Sequence, residues 1–247
     1  MLKRLMKTIL WKVGFFPRFY LLENPFKIYE LKVIFDCVVN DNKATIIDLG
    51  CGNGTQTILN ANKFYKIIGI DPNENSIRLA KDKLTFAHGN GKIEFFANTI
   101  EGMHFPADSI DGVVSYCVLE HIRNYDEVLN ELYRILKPGG WLLFSVDSLA
   151  VIRESVLLEK HRCEHHVVKY FTIKEMNELL LEKRFKNITV EPKLKSKFAE
   201  KLFTKGIHNH FQFNKLSGLI YTGWLFVYER FARRENEGLF LLVKAYK

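Results

Sequence analysis

A short glycine-rich segment has the residue types and spacing best suited to ligand chemistry. Asp48 lies in an apolar run, and Gly50, Gly52 and Gly54 alternate with other residues after it. The run is typical of a buried parallel strand, and the glycines allow a tight turn that a ligand can approach closely. Since a helical pattern begins at Thr55, the segment predicts a strand, a turn and a helix N-terminus, which together form a nucleotide-type ligand site.

A second acidic position extends this predicted site. Asp71 ends the next apolar run, about 20 residues after the glycine turn, where a carboxylate can accept hydrogen bonds from both hydroxyls of a ribose. The glycine spacing is not that of a dinucleotide fingerprint, which requires a third glycine at the position of Thr55. The pattern therefore disfavours the alternative of a NAD-dependent oxidoreductase.

The elements that must position these residues follow a strand–helix rhythm. Strands are predicted at 46–49, 67–70, 93–97, 112–115, 141–146, 188–190 and 239–245. Helices are predicted near 26–40, 55–62, 74–84, 125–136 and 173–183. This alternation predicts an α/β fold: a doubly wound, Rossmann-like, seven-stranded and mostly parallel sheet, with ligands at the carboxyl ends of its strands.

Three further runs stand in fixed places relative to these strands. They are Ser-Ile-Asp-Gly-Val-Val-Ser at 109–115, Val-Leu-Glu-His-Ile at 118–122, and Glu-Leu-Tyr-Arg-Ile-Leu-Lys-Pro-Gly-Gly at 131–140. With the glycine turn and Asp71, they resemble the class I S-adenosylmethionine (SAM)-dependent methyltransferases, in the group that includes the ubiquinone and menaquinone biosynthesis enzymes. The resemblance covers roughly residues 44–192.

The resemblance implies a set of residues that bind SAM and its product S-adenosylhomocysteine (SAH). These are Asp48, Gly50, Gly52, Gly54, Asp71, Pro72, Thr99, Ile100 and Cys117. The aspartate and glycines of the turn would hold the methionine end, with backbone carbonyls near Gly50 and Cys117 meeting its amino group. Asp71 would bind the ribose. Thr99 stands where relatives carry an aspartate for the adenine amino group, so this adenine contact would be uncharged.

The same resemblance implies an enzyme that methylates an oxygen or carbon atom of a small, hydrophobic acceptor. Transfer from a sulfonium requires the acceptor to be aligned behind the methyl group, so proximity and orientation supply much of the rate. The alternative from another functional class is a non-catalytic SAM-binding regulatory or assembly subunit. Methyl transfer to any acceptor would distinguish the two.

A hydroxyl acceptor also needs a base near pH 7, for which histidine is the natural side chain. His121 follows the fourth predicted strand at the ligand edge, although its place in a family run favours a structural role. His165 and His166 precede an aromatic segment, on the connection that covers the acceptor pocket in related proteins. Of the three candidate catalytic residues, His166 is preferred over His165.

Metal and nucleic-acid functions are not favoured. His161, Cys163 and Glu164 lie beside the two neighbouring histidines, but so many donors on one short segment give poor coordination geometry, and we expect no metal. No Asn-Pro-Pro-Tyr-type run follows the fourth strand, and no nucleic-acid-binding module is recognisable. Nucleic acid is therefore not an expected partner.

Charge is concentrated at two places in a chain whose net charge is +8. Residues 1–22 carry five basic and no acidic side chains, and residues 193–234 carry nine basic against two acidic ones. The first segment predicts a basic amphipathic helix over 2–16, and the second contains an apolar, aromatic stretch over 216–228. Both could meet an anionic membrane, which would suit a lipidic acceptor; solvated surface is the alternative.

These patterns predict four parts of the chain. They are an N-terminal helical cap over 1–40, the SAM-binding domain over 41–192, a helical basic and aromatic insertion over 193–237, and the last strand of the sheet within 238–247. The four cysteines form no C-x-x-C pair, which favours a reducing cytoplasm, with peripheral attachment at the inner face of the membrane as an extension. A homo-oligomer is compatible with the sequence.

Overall fold

One seven-stranded sheet organises the molecule. The computed structural model describes residues 23–38, 40–85 and 92–247. The strands are β1 (Asp41–Leu49), β2 (Phe64–Asp71), β3 (Lys92–Ala97), β4 (Ile110–Tyr116), β5 (Leu136–Asp147), β6 (Lys186–Lys193) and β7 (Phe240–Tyr246). Their order is β3-β2-β1-β4-β5-β7-β6, and β7 is antiparallel to both of its neighbours. The predicted mostly parallel, seven-stranded fold is confirmed.

The strand order reverses between β1 and β4, and this reversal positions the site. Both strands run parallel in register, with Ile47 opposite Val113 and Leu49 opposite Ser115. The turns that follow them, at Gly50 and Cys117, therefore lie side by side at the carboxyl edge of the sheet. A topological switch point of this kind opens the crevice in which doubly wound folds bind ligands.

Helices cover both faces of the sheet. They are α1 (Pro25–Cys37), α2 (Thr55–Asn60), α3 (Glu74–Leu84), α4 (Tyr125–Ile135), α5 (Ser155–His165), α6 (Ile173–Glu182), α7 (Lys197–His208) and α8 (Lys215–Glu229). Ile46 packs in a core with residues of α1, α7 and α8, whereas the adjacent Ile47 packs in a core with residues of α4 and α6. Alternate side chains of β1 thus enter two separate apolar layers.

Local sequence explains where several helices begin. Asn24 accepts hydrogen bonds from the backbone N–H groups of Phe26 and Lys27, both at 3.1 Å, and Pro25 occupies the first turn of α1. Thr172 and Glu175 form a reciprocal capping box at the start of α6. Such caps satisfy backbone donors that the helix itself leaves unpaired.

The structure differs from the predicted elements most clearly at two places. Strand β5 begins at Leu136 rather than 141, because the Lys-Pro-Gly-Gly run is part of the strand instead of a turn before it. Helix α5 was not predicted; among its side chains only Leu157 and His161 are buried, so its sequence lacks an apolar helical period. The helix predicted over 2–16 lies outside the described residues.

The predicted helical insertion before the last strand consists of α7 and α8. Its inner side belongs to the core that also contains Ile34 of α1. None of the helices in the described ranges has the length and apolar character needed to cross a bilayer.

Candidate functional site

The glycine turn after β1 leaves open space at one position. Gly50, Gly52 and Gly54 have φ values of 67°, 51° and 73°, in the left-handed region that favours glycine. A Cβ on Gly50 would lie 2.3 Å from Val118 Cγ2, and one on Gly54 would lie 2.7 Å from Phe95 Cζ. A Cβ on Gly52 would meet nothing within 4 Å. The outer glycines therefore permit close packing, whereas Gly52 borders a cavity.

Asp71 joins this turn to the end of β2. Its Oδ2 accepts a hydrogen bond from the N–H of Gly52 at 2.9 Å, and its Oδ1 accepts one from the N–H of Asn73 at 2.9 Å. A carboxylate has about four acceptor positions, so both oxygens retain capacity for ribose hydroxyls. The carboxylate is thus held in a fixed orientation at the cavity wall.

A cavity of about 710 Å³ lies along the carboxyl edge of the sheet. It is lined by six of the residues that the resemblance assigned to SAM: Gly50, Asp71, Pro72, Thr99, Ile100 and Cys117. Asp48 and Gly52 line an adjoining cavity of about 210 Å³, and Gly54 borders neither. The larger volume is ordinary for a cofactor-sized ligand. We refer to the two together as the cofactor cavity.

Asp48 has an unsatisfied carboxylate oxygen at this cavity. The side chain is 2% exposed, and its Oδ2 accepts a hydrogen bond from Thr57 Oγ1 at 2.6 Å. Its Oδ1 has no partner within the described residues. Burial raises the pKa of Asp48 to about 7. A buried carboxylate with a free oxygen fits the cationic amino group of a bound methionine moiety.

Thr99 closes a turn at the opposite wall of the cavity. Its backbone N–H donates to Asn98 Oδ1 at 2.9 Å, and its hydroxyl oxygen accepts from the N–H of Gly102 at 3.2 Å. Ile100 beside it is almost fully buried. The acidic side chain at this wall is Glu101, which lines the same cavity.

A separate pocket of about 200 Å³ lies behind the cofactor cavity. Its apolar walls include Phe26 of α1, Phe203 of α7 and Phe211, and its polar residues include Glu30 and Asp147. We call it the phenylalanine-lined pocket. Three residues line both this pocket and the cofactor cavity, namely Lys27, Cys117 and His121. The two spaces therefore meet at the switch point of the sheet.

The three candidate histidines occupy different positions around that junction. His121 lines both spaces at this junction, and its Nδ1 lies 3.4 Å from the carbonyl oxygen of His166. Burial lowers the pKa of His121 below 6.5. His165 lines the phenylalanine-lined pocket, with its ring centroid 4.5 Å from that of His161. His166 ends α5 with a φ of 54° and lies outside the residues that line these cavities.

Lys27 was not anticipated from the sequence. Its Nζ lies 2.9 Å from Glu30 Oε2, and the hydroxyl of Ser145 donates to the other oxygen of Glu30. Burial by itself would lower the pKa of Lys27, but the neighbouring carboxylate of Glu30 raises it above its usual value. Lys27 lines the phenylalanine-lined pocket and the smaller part of the cofactor cavity. Lys27 is the one lysine or arginine among the described residues that line these spaces.

Asp147, at the carboxyl end of β5, is the centre of a buried polar cluster. Its Oδ1 accepts from Cys117 Sγ at 3.7 Å, and its Oδ2 lies 4.0 Å from His161 Nε2. Burial raises the pKa of Asp147 to about 6 and that of Glu120 well above its usual value. The thiol and both carboxylates approach within 4.8 Å, which is compatible with a cation. The nearby ammonium of Lys27 already compensates the negative charge of these carboxylates. The absence of a metal stays a prediction.

The match to known sequences covers the centre of the chain. Residues 47–144 match the family model described as a methyltransferase domain. The ubiquinone/menaquinone biosynthesis C-methyltransferase UbiE of Hydrogenovibrio crunogenus is 32% identical over 101 residues, which is 40% of this chain and 40% of that protein. UbiE of Escherichia coli O1:K1 is 29% identical over 127 residues, 48% and 49% of the two chains. The chain thus spans less than half the length of the curated relatives it matches.

The fold is similar to solved structures over most of the chain. Phosphoethanolamine N-methyltransferase 2 of Haemonchus contortus, in complex with phosphomonomethylethanolamine and SAH, has a TM-score of 0.65 and 17% identity, covering 89% of this chain and 52% of that one. A possible histamine N-methyltransferase from Thermotoga maritima has a TM-score of 0.59 and 17% identity, covering 95% of each chain. The [4+2]-cyclase SpnF has a TM-score of 0.61 and 18% identity, with 88% and 79% covered.

Proposed function

We propose that this chain, which contains a class I SAM-dependent methyltransferase domain, transfers the methyl group of SAM to an oxygen or carbon atom of a small, hydrophobic acceptor. One observation carries the proposal: the cofactor cavity and the phenylalanine-lined pocket meet at Cys117 and His121. SAM in the first space and an acceptor in the second would face each other across this junction. Holding both reactants in line supplies much of the rate of such a transfer.

Charge complementarity supports the orientation of the cofactor. SAM supplies an electrophilic methyl group on a sulfonium, together with an amino group and a carboxylate. Asp71 is oriented to accept from the ribose hydroxyls, and the free Oδ1 of Asp48 would accept from the amino group. Lys27 borders the same small cavity as Asp48 and would pair with the carboxylate.

His121 is the residue that we assign as the base. Because its Nδ1 faces a carbonyl oxygen, this nitrogen carries the proton, and Nε2 keeps a free lone pair. The lowered pKa keeps the ring neutral at pH 7, so Nε2 can accept a proton from a hydroxyl or an activated carbon acid. His166, preferred from the sequence, contributes its carbonyl oxygen to this arrangement, and its own catalytic role stays a prediction.

The pocket supports an apolar acceptor. Phe26 and Phe203 meet edge to face with ring centroids 5.2 Å apart, and Phe203 meets Phe211 at 5.0 Å. Such walls favour a flat apolar ring, and the adjoining polar side chains of Glu30 and Asp147 can bind a substituent on it. The name of the UbiE relatives, ubiquinone/menaquinone biosynthesis C-methyltransferase, agrees with a ring acceptor.

Replacing Asp71 with alanine is expected to weaken SAH binding. The ribose hydroxyls lose hydrogen bonds to a charged group, worth about 1.5–3 kcal/mol, which corresponds to roughly 10- to 150-fold in Kd. Isothermal titration calorimetry measures the change. Asp41→Ala is a matched control, because Asp41 also accepts from a backbone N–H two residues later at 2.9 Å but lies at the far end of β1. An unchanged Kd in folded Asp71→Ala protein would contradict the ribose assignment.

Lys27→Met is expected to discriminate between two ligands. SAH carries the methionine carboxylate, whereas 5′-methylthioadenosine does not, so only SAH should lose affinity. We expect a loss of about 10-fold or more for SAH and less than about 2-fold for methylthioadenosine, since charge-assisted hydrogen bonds contribute about 1.5–3 kcal/mol. Lys32→Met is the control, because Lys32 lies on the same helix in an exposed pair with Asp36. Equal losses for both ligands would refute the carboxylate contact.

The activity itself is tested with methyl-labelled SAM and a panel of alkylated phenols and hydroquinones. Label in an extracted product supports the proposal, and the position of the new methyl group distinguishes oxygen from carbon. The alternative is a SAM-binding subunit without turnover, and the cyclase SpnF illustrates that this fold also occurs outside methyl transfer. SAH binding without transfer to the panel or to a total lipid extract would favour that alternative.

A further inference from the structure

We propose that α7 and α8 form a docking surface for an anionic membrane. Six large apolar residues are exposed on one side of α8 and on the turn after it: Leu216, Leu219, Ile220, Trp224, Val227 and Phe231. We call them the apolar stripe. Their exposed fractions lie between 47% and 76%. Contiguous apolar surface of this kind on a folded protein marks a site of interaction.

The apolar stripe lies on the side of α8 that faces solvent, because the other side packs against the core. Its members follow the spacing of a single helical face. The opposite face buries Gly218, Thr222 and Leu225, and Phe226 meets Tyr29 of α1 with ring centroids 4.8 Å apart. The helix therefore has an apolar face toward the core and a second one toward solvent. Burial in the core accounts only for the first.

A row of lysines accompanies the stripe. Lys197, Lys201 and Lys205 are exposed on α7 at four-residue spacing, and none forms an ion pair within the described ranges. Helix α7 runs antiparallel to α8, because Phe198 stacks on Tyr228 at 4.9 Å and Lys205 Nζ lies 3.3 Å from the hydroxyl of Tyr221. The cationic row thus runs along the side of the apolar stripe.

Nearby charges strengthen this basic border. Arg230 and Arg233 are exposed after α8, and the acidic Glu229 uses its carboxylate to accept from the backbone N–H groups of Lys195 and Ser196, both at 2.8 Å. The described chain begins at Glu23, which pairs with Lys215 at 3.5 Å.

These features fit an anionic lipid surface better than a second copy of the chain. Aromatic and aliphatic side chains enter the interfacial region of a bilayer, and lysines beside them pair with anionic headgroups. A symmetric contact between two copies through the stripe would bring two lysine rows into one interface. The surface also borders the phenylalanine-lined pocket, since Phe203 of α7 forms one wall of that pocket. Delivery of a lipidic acceptor by this route rests on the proposed function, whereas lipid binding does not.

Vesicle cosedimentation of the full-length protein tests the proposal. We expect binding to phosphatidylcholine vesicles that contain phosphatidylglycerol, weaker binding at high salt, and little binding to phosphatidylcholine alone. Replacing Lys197, Lys201 and Lys205 with glutamate should reduce the vesicle partition coefficient at least 10-fold. The control with the same charge change replaces the exposed Lys81, Lys174 and Lys186 and should bind normally.

The apolar contribution is tested separately with Trp224→Ser/Phe231→Ser. It should reduce the partition coefficient by a similar factor, whereas Val156→Ser/Leu181→Ser, which removes exposed apolar side chains elsewhere, should not. Absence of wild-type binding at low salt, or normal binding by both surface variants, would overturn the proposal. A concentration-dependent dimer lost in Trp224→Ser/Phe231→Ser, without vesicle binding, would assign the stripe to a second copy. Calorimetry with SAH on the same proteins separates this outcome from a failure of the proposed function.

Discussion

Replacing His121 with alanine is expected to lower the methyl-transfer rate by about 10²- to 10⁴-fold, the usual contribution of a positioned general base. SAH affinity should stay near that of the wild type, because His121 lies at the junction with the phenylalanine-lined pocket. Single-turnover transfer from labelled SAM measures the first quantity, and calorimetry measures the second.

The comparison of histidines separates the candidate bases. His166→Asn keeps a side chain that tolerates positive φ and should retain most of the rate, since His166 contacts the His121 ring through its backbone carbonyl. His208→Ala, on an exposed position of α7, is the control. A large loss in His166→Asn with little loss in His121→Ala would reverse the assignment in favour of the residue preferred from the sequence.

The pH profile provides an independent check on the same assignment. The proposed base is the neutral form of His121, and burial lowers its pKa below 6.5. The rate should therefore rise with pH as the ring loses its proton, with the midpoint of this rise below the usual pKa of histidine. This rising limb should disappear in His121→Ala. A profile centred well above pH 7 would indicate a different titrating group.

Replacing Gly52 with valine is expected to abolish SAH binding, by at least about 100-fold in Kd. The position has a φ of 51°, which a β-branched residue adopts only with strain, and its Cβ would project into the cofactor cavity. The measurement is calorimetry on protein whose circular dichroism matches the wild type.

Gly139→Val is the matched control for this substitution. Gly139 has a φ of 79°, and a Cβ there also meets nothing within 4 Å. It lies near the amino end of β5, away from the carboxyl edge that holds the cavity. Both variants should lose similar stability to backbone strain, but only Gly52→Val should lose SAH. Retained affinity in Gly52→Val would mean that the turn is purely structural.

The part of the site that sequence predicted lies on regular elements. Apolar runs at β1 and β2, each with an acidic residue at or next to its last position, allowed Asp48 and Asp71 to be placed, since the carboxyl ends of parallel strands lie at one edge of the sheet. The alternation of strands and helices also predicted the sheet. These inferences depend on local pattern and on general rules of topology.

The rest of the site depends on long-range packing. Lys27 enters it from α1, and its ion-pair partner Glu30 accepts a hydrogen bond from Ser145, which lies 115 residues further along the chain, so no local pattern connects them. Two signals were nevertheless present. Asn24-Pro25 marks a helix start, which puts Lys27 in the first turn, and Asp147 ends a strand at the ligand edge. His161 was considered only as a metal donor, because α5 lacks an apolar period that would have placed its ring in the phenylalanine-lined pocket.

A crystal structure of the full chain with SAH tests the central claim most directly. We expect the ribose hydroxyls within about 2.7–3.2 Å of the Asp71 carboxylate and the sulfur at the junction of the two spaces, beside Cys117 and His121. Its methionine carboxylate should lie against Lys27. SAH bound elsewhere, or bound here with its sulfur facing away from the phenylalanine-lined pocket, would contradict methyl transfer across this junction.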